Sequence, residues 1–183
     1  MNLLVILNQK KMNNELMFSS KSNEHFTPID FLEKVREFYG GRIDLDPASN
    51  GIDDSHTRAS TNYDKGLDGL RWEWPGNVFL NPPYSRPLLK RFIEKAIIEY
   101  ESDRANQVLI LAPARTDTQW HRSLAAYPRC YITGRLKFHN PANNGNAAPF
   151  PSVLFYLGGN WPKFARHWKE TGEVFFPFWL QDC

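Results

Sequence analysis

An apolar stretch that ends in Asn-Pro-Pro-Tyr is the most informative feature of the sequence. Residues 78–80 predict a strand that carries Asn81 at its carboxyl end, followed by Pro82, Pro83 and Tyr84. The Asn81 side chain offers a carbonyl acceptor, Pro82 offers a backbone carbonyl, and the two prolines fix the backbone that holds both oxygens. Two rigid acceptors can bind both hydrogens of one planar aromatic amine. The nitrogen lone pair could then point at an electrophilic methyl group held in line.

The aromatic ring of Tyr84 completes this turn. It could stack on a base that has left a duplex, while Asn81 replaces part of the lost base pairing. The alternative is that the tetrapeptide is only a rigid surface turn, as Pro-Pro often is. The strand before it and the helix predicted after it favour the chemical interpretation.

Alternating helices and strands are predicted to position this turn. Thr27 as N-cap, Pro28 at the first helical position and Gly40 at the end predict a first helix. Further helices are predicted after Ser85 up to Tyr100, from 116 or 117 to 126 and at 162–171, and strands at 42–46, 77–80, 108–111, 130–133, 136–138 and 153–156. This order predicts an α/β fold with one mostly parallel sheet and helices on both faces. Ligands of such sheets bind beyond the carboxyl ends of the strands, where Asn81 is expected.

The composition predicts one compact domain. The chain has 183 residues, 42% of them hydrophobic, and a net charge of +2 that permits DNA binding without indicating it. Residues 1–23 lack periodicity and are expected to be a loosely held leader before a domain at 24–183, and 140–151 a mobile loop. The two cysteines form no disulfide framework, and His121 and His139 lack metal-ligand spacing. We therefore expect no metal, no membrane span and a cytoplasmic location.

Several further motifs accompany the Asn81 turn. They are Phe26-Thr27-Pro28, Asp44-Leu45-Asp46-Pro47-Ala48, Asp68-Gly69-Leu70, Ala112-Pro113-Ala114-Arg115-Thr116-Asp117, Gly134-Arg135-Leu136-Lys137-Phe138 and Ala148-Pro149-Phe150-Pro151-Ser152. With these motifs the chain resembles the phage-type DNA N-6-adenine methyltransferase family, a Dam-like branch of the amino methyltransferases. The resemblance extends from Phe26 to Tyr156.

The resemblance implies a fold and an activity. The fold is the Rossmann-like fold of S-adenosylmethionine-dependent methyltransferases, and the activity is methyl transfer to the exocyclic amino group of adenine in DNA, inside the bacterial host of a phage or prophage. Cytosine N4, adenine in RNA and a protein glutamine amide remain alternatives because each presents a planar amino nitrogen. A catalytically silent nucleic-acid-binding module is a further alternative, and it would need no acceptor pair.

The resemblance also implies how the methyl donor S-adenosylmethionine is held. Its methionine end is expected near residues 26–28 and near the turn at 44–47, with Asp46 accepting a charge-assisted hydrogen bond from the ammonium group. Asp68 is expected to face the nucleoside. The alternative for Asp44 and Asp46 is a hydrated strand end with a local Asp-Pro turn. The turn after Pro47 departs from the wider methyltransferase pattern, because it lacks Gly-x-Gly.

Basic residues near the same sheet edge are candidates for contact with DNA. Arg115 follows the strand at 108–111, and its guanidinium could contact phosphate or base. Arg86 follows the Asn81 turn, and Arg135 and Lys137 precede the loop at 140–151. Together they could form a phosphate-binding surface, although dispersed surface charge is the alternative.

Overall fold

The computed structural model describes residues 26–51, 56–138 and 148–178. The predicted leader at 1–23, His139 and most of the predicted mobile loop lie outside these residues. The helices are α1 (Ile29–Tyr39), α2 (Arg86–Glu101), α3 (Gln119–Ser123) and α4 (Trp161–Trp168). The strands are β1 (Leu45–Asp46), β2 (Thr61–Asn62), β3 (Gly76–Leu80), β4 (Ala105–Pro113), β5 (Arg129–Ile132), β6 (Ser152–Leu157) and β7 (Gly172–Phe175).

All of these strands form one sheet in the order β2-β1-β3-β4-β6-β5-β7. The pairings from β2 to β4 are parallel, as predicted, whereas those from β4 to β7 are antiparallel. The prediction of a mostly parallel sheet is therefore wrong beyond β4. No helix is described between β5 and β6, and an antiparallel return does not need the helical crossover that a parallel pair requires. β6 inserts between β4 and β5.

Helices cover both faces of the sheet, as the sequence predicted. Side chains alternate along β4, so that Val108 and Ile110 pack on one face and Leu109 and Leu111 on the other. The face with Val108 packs against apolar residues of α2 and α3, and the opposite face packs against α1 and α4. None of the helices described is long and apolar enough to cross a membrane.

Several predicted elements differ from the structure. β4 is longer than expected, α3 has only five residues, and 136–138 is not a strand. The sequence did not indicate β2, which has two residues, or β7, in which half-buried and exposed residues alternate. Short edge strands of this kind carry too few buried positions to produce a clear alternation of apolar and polar residues.

The strand directions define the edge of the sheet at which the candidate site lies. β1, β3 and β4 are mutually parallel, so their carboxyl ends meet at one edge, and β3 delivers Asn81 there. β5 also ends at this edge, because β4 and β5 are both antiparallel to β6. α1 begins near the same edge, since Pro28, its N-cap residue, lines a groove with Ile132 at the end of β5.

Candidate active site

A cavity of about 320 Å³ lies at the carboxyl edge of the sheet, beside Asn81. It is lined chiefly by Phe26, Thr27, Asp46, Ser49, His56 and Asn81. The structure thus brings together residues that precede α1, end β1 and follow β3. Phe26 contacts the His56 ring edge-on, with the ring centroids 4.7 Å apart.

The Asn81 amide is held by a hydrogen bond at each end. Its Nδ2 donates to the Thr27 hydroxyl oxygen at 3.0 Å, and its Oδ1 accepts from the Tyr84 hydroxyl at 2.7 Å. Asn81 is only partly buried and contributes to the cavity wall, so it does not serve merely to fill the core. Within the described residues, no hydrogen bond ends on the carbonyl of buried Pro82. That carbonyl is therefore available as the second acceptor.

Tyr84 is buried rather than presented for stacking. Only 8% of its surface is exposed, and its ring meets Phe138 and Phe150 edge-on at centroid distances of 6.3 and 5.4 Å. Burial raises the pKa of the Tyr84 hydroxyl well above its usual range, so this group acts as a neutral donor. The predicted stacking on a base requires the ring to leave this position.

Asp46 is a buried carboxylate at the end of β1. One oxygen accepts from the Ala48 amide at 3.0 Å and the other accepts from the Thr57 hydroxyl at 2.9 Å. Burial raises its pKa to about 6, although both hydrogen bonds act in the opposite direction. No lysine or arginine among the described residues forms an ion pair with Asp46. Such a group is suited to a cationic ligand.

A second cavity of about 330 Å³ shares Ala48 and Ser49 with the first. Its other lining residues include Pro47, Tyr63, Asp68, Gly69, Pro83 and Phe92. Gly69 lies against the Pro47 carbonyl, where a side-chain carbon would come within 2.0 Å of the oxygen, so only glycine fits. The mixture of apolar rings with two half-buried carboxylates, those of Asp64 and Asp68, is suited to a nucleoside.

Two predicted cofactor residues lie outside both cavities. Asp44 accepts hydrogen bonds from Arg42 Nε at 2.6 Å and from the Asn77 amide at 2.9 Å, which ties the segment before β1 to the start of β3. Pro28 lines a different groove. Phe26, Thr27 and Asp46 line the first cavity and Pro47 and Asp68 the second, so the structure separates Asp44 from Asp46.

The predicted DNA-binding residues are all exposed. Arg86 begins α2 and Arg115 follows β4, and neither guanidinium contacts a described carboxylate. Arg135 and Lys137 line a groove of about 1100 Å³, together with Lys34, which sequence reasoning missed. Asp30 and Glu170 also line this groove, so its charge is mixed.

Sequence reasoning missed several residues of the site because their contacts are long-range. Thr57 and His56 lie in a polar region without periodicity, and Phe92 belongs to an ordinary apolar helix stripe. Phe138 precedes the predicted loop at 140–151 and Phe150 lies near its end, and the two rings meet only through the fold. Within the described residues, no group of His, Cys, Asp and Glu could hold a metal ion.

Comparison with known proteins gives a family match that covers most of the chain. The family model for "DNA N-6-adenine-methyltransferase (Dam)" matches residues 17–158. A DNA N-6-adenine-methyltransferase of Escherichia phage T1 is 37% identical over 96 residues, which are 51% of this chain and 37% of that relative. The comparison with solved structures found no match. The chain belongs to the DNA N-6-adenine-methyltransferase (Dam) family.

Proposed function

We propose that the chain transfers a methyl group from S-adenosylmethionine to the exocyclic N6 amino group of adenine in DNA. The observation that carries the proposal is the position of the Asn81 amide in the wall of a cavity that also contains the buried Asp46 carboxylate. Family membership and the phage T1 relative support the same activity. The match covers little more than a third of that relative, so the relative's activity is proposed for this chain and does not follow from the match alone.

The two adjacent cavities, which share Ala48, Ser49 and Asn50 in their walls, are the proposed site of S-adenosylmethionine. Asp46 would accept hydrogen bonds from the ammonium group, because it is a carboxylate whose pKa is raised by burial and which a cationic ligand would stabilise in its ionised form. Pro47, Asp68, Pro83 and Phe92 would surround the nucleoside. Four strands with aligned carboxyl ends support a Rossmann-like arrangement for this part of the sheet.

Bound S-adenosylmethionine would supply an electrophilic methyl carbon on a sulfonium. Asn81 Oδ1 and the Pro82 carbonyl would accept the two amine hydrogens and so leave the nitrogen lone pair directed at that carbon. A nitrogen–carbon bond would form as the carbon–sulfur bond breaks, and the amine would release one proton to solvent. The acceptor oxygens stabilise the positive charge that develops on the nitrogen before this proton leaves.

Contact with DNA would come from cations at the same edge of the sheet. Arg86 and Arg115 lie near the Asn81 turn, and Lys34, Arg135 and Lys137 line the groove next to Pro28. We infer that they bind phosphates, because each side chain is exposed and none pairs with a described carboxylate. An enzyme that modifies phage or host DNA would act in the bacterial cytoplasm.

The test is transfer of a labelled methyl group from S-adenosylmethionine to unmethylated DNA, followed by nucleoside analysis. N6-methyladenine is expected with wild-type protein and is expected to be lost with Asn81→Ala. Label in cytosine, in RNA or in protein would support one of the alternative substrates. Cofactor binding without any transfer, or no cofactor binding at all, would contradict the proposal and favour the silent binding module.

A further inference from the structure

We propose that Thr27 is a positioning residue that orients the Asn81 amide, and that the Tyr84 hydroxyl holds the Asn81 acceptor until the target amine replaces it. This inference rests on the proposed function. It assigns to Thr27 a role different from both the helix cap and the cofactor contact predicted from the sequence.

Thr27 does not cap the helix that it precedes. The N-cap residue of α1 is Pro28, no side chain caps this helix, and the first-turn amide of Leu32 donates to the Pro28 carbonyl. The Thr27 hydroxyl oxygen instead accepts from Asn81 Nδ2, which is 54 residues away in sequence. Thr27 is 5% exposed. Its buried hydroxyl group, just before α1, therefore serves the Asn81 turn and not the helix.

The orientation of an amide has to be fixed by hydrogen bonds. Its oxygen and nitrogen ends have nearly the same size, so packing does not distinguish them. With the Thr27 hydroxyl accepting from Nδ2, Oδ1 faces Tyr84 and is presented as an acceptor. In the opposite orientation the NH₂ group would face the hydrogens of the substrate amine, and two donors would meet. Thr27 thus acts on the substrate through Asn81.

The Tyr84 hydroxyl donates to the same oxygen that the substrate amine would use. It donates to Asn81 Oδ1 at 2.7 Å, as an amine hydrogen of the target base would do. This bond gives Asn81 Oδ1 a donor while no base is present. When a base enters, one donor replaces the other, and the ring of Tyr84 leaves its edge contacts with Phe138 and Phe150. The same movement frees the ring for stacking.

The role of Thr27 is tested with Thr27→Val, which keeps the shape and removes the acceptor, and with Thr27→Ser, which keeps the acceptor. We expect kcat on DNA to fall about tenfold in the valine variant, with little change in the Kd of S-adenosylmethionine and with recovery in the serine variant. Thr61→Val, at an exposed position in β2, is the matched control and should behave as wild type. An unchanged kcat in Thr27→Val, or a loss confined to cofactor affinity, overturns the role of Thr27.

The placeholder role of Tyr84 is tested with Tyr84→Phe, which keeps the ring and removes the competing donor. We expect the KM for DNA to fall several-fold, because the hydroxyl that competes with the target amine for Asn81 Oδ1 is gone. Tyr127→Phe removes an exposed hydroxyl that donates to Glu101, and serves as the control. A raised KM in Tyr84→Phe contradicts the placeholder role.

Two controls separate failure of this inference from other causes. Thermal denaturation of each variant shows whether the protein still folds. If a variant does not fold, the test uses wild-type protein instead, by NMR of the side-chain amide resonances of Asn81. Addition of a substrate oligonucleotide should shift them, and their insensitivity to DNA counts against displacement of Tyr84. If wild-type protein methylates no adenine, the proposed function fails. If it does and the variants match wild type, only the present inference fails.

Discussion

Protonation of Asp46 should control the affinity for S-adenosylmethionine between pH 5 and pH 7. The carboxylate is 6% exposed, and burial raises its pKa to about 6 in the protein without ligand. An ammonium group held against it favours the ionised form, so binding lowers this pKa and releases a proton at low pH. Affinity is therefore nearly complete at pH 7 and is lost progressively as the pH falls through about 6.

The size of the effect follows from the pKa. With a value of about 6, about nine-tenths of Asp46 is ionised at pH 7 and about one-tenth at pH 5, so Kd should rise about tenfold, or about 1.4 kcal/mol. The ligand sets the upper limit of the pH range in which binding is strong, because an α-amino group loses its own proton at a pH of about 8. In Asp46→Asn the dependence of Kd on pH between 5 and 7 should vanish. Affinity at pH 7 should fall roughly 10- to 150-fold with the loss of a charge-assisted hydrogen bond.

Isothermal titration calorimetry measures both quantities. S-adenosylmethionine and S-adenosylhomocysteine carry the same ammonium group and should show the same pH dependence. Titrations at pH 6 in buffers of different ionisation enthalpy should reveal release of about half a proton for each ligand bound. A constant Kd from pH 5 to pH 7, or an equal slope in wild type and Asp46→Asn, would refute the assignment of Asp46 to the ammonium group.

Three further predictions concern substrate, DNA and stability. Asn81→Ala should abolish methyl transfer and leave cofactor affinity within about twofold, measured by calorimetry; near-normal turnover would contradict its role. Lys34→Ala with Lys137→Ala should weaken DNA binding uniformly across sequences and reduce the slope of log K against log salt by about 1.8, whereas Arg42→Gln, at the opposite edge, should not. Glu99 is buried, yet hydrogen bonds from its basic partners outweigh burial and lower its pKa to about 2. Glu99→Gln should therefore cost about 2 kcal/mol of unfolding free energy at pH 7, the typical contribution of hydrogen bonds to a charged group. Urea denaturation should show this difference shrinking as the pH falls from about 4.5 towards 2.

Glu99 illustrates a position whose importance is visible only in the folded chain. It accepts hydrogen bonds from Lys95, from Arg104 Nε at 2.8 Å and from the Trp74 amide at 3.0 Å. This network fixes the segment before β3 against α2. In the sequence, Glu99 is only one acid on an amphipathic helix, and its pairing with Lys95 at i, i+4 resembles an ordinary surface pair.

The fold was predictable as far as local patterns decide it. The apolar stripe of α1, the strand that ends before Asn81 and the coverage of both faces by helices followed from periodicity, because burial of one face imposes a repeat on the sequence. The direction of β6 was not predictable in this way. An apolar run looks the same whether it pairs in parallel or antiparallel, and the order β4-β6-β5 depends on contacts between distant segments.

The sequence by itself determined that an amide and a proline carbonyl stand rigidly at the end of a buried strand, since this depends on neighbouring residues alone. Only the tertiary structure decided which distant groups surround them. It separated Asp46, at the cavity, from Asp44, which is tied to Asn77, and it joined Thr27 to Asn81 instead of to a helix end. The physical reason is that a polar side chain can satisfy its hydrogen bonds with many partners, and the partner it meets is set by the packing of the whole chain.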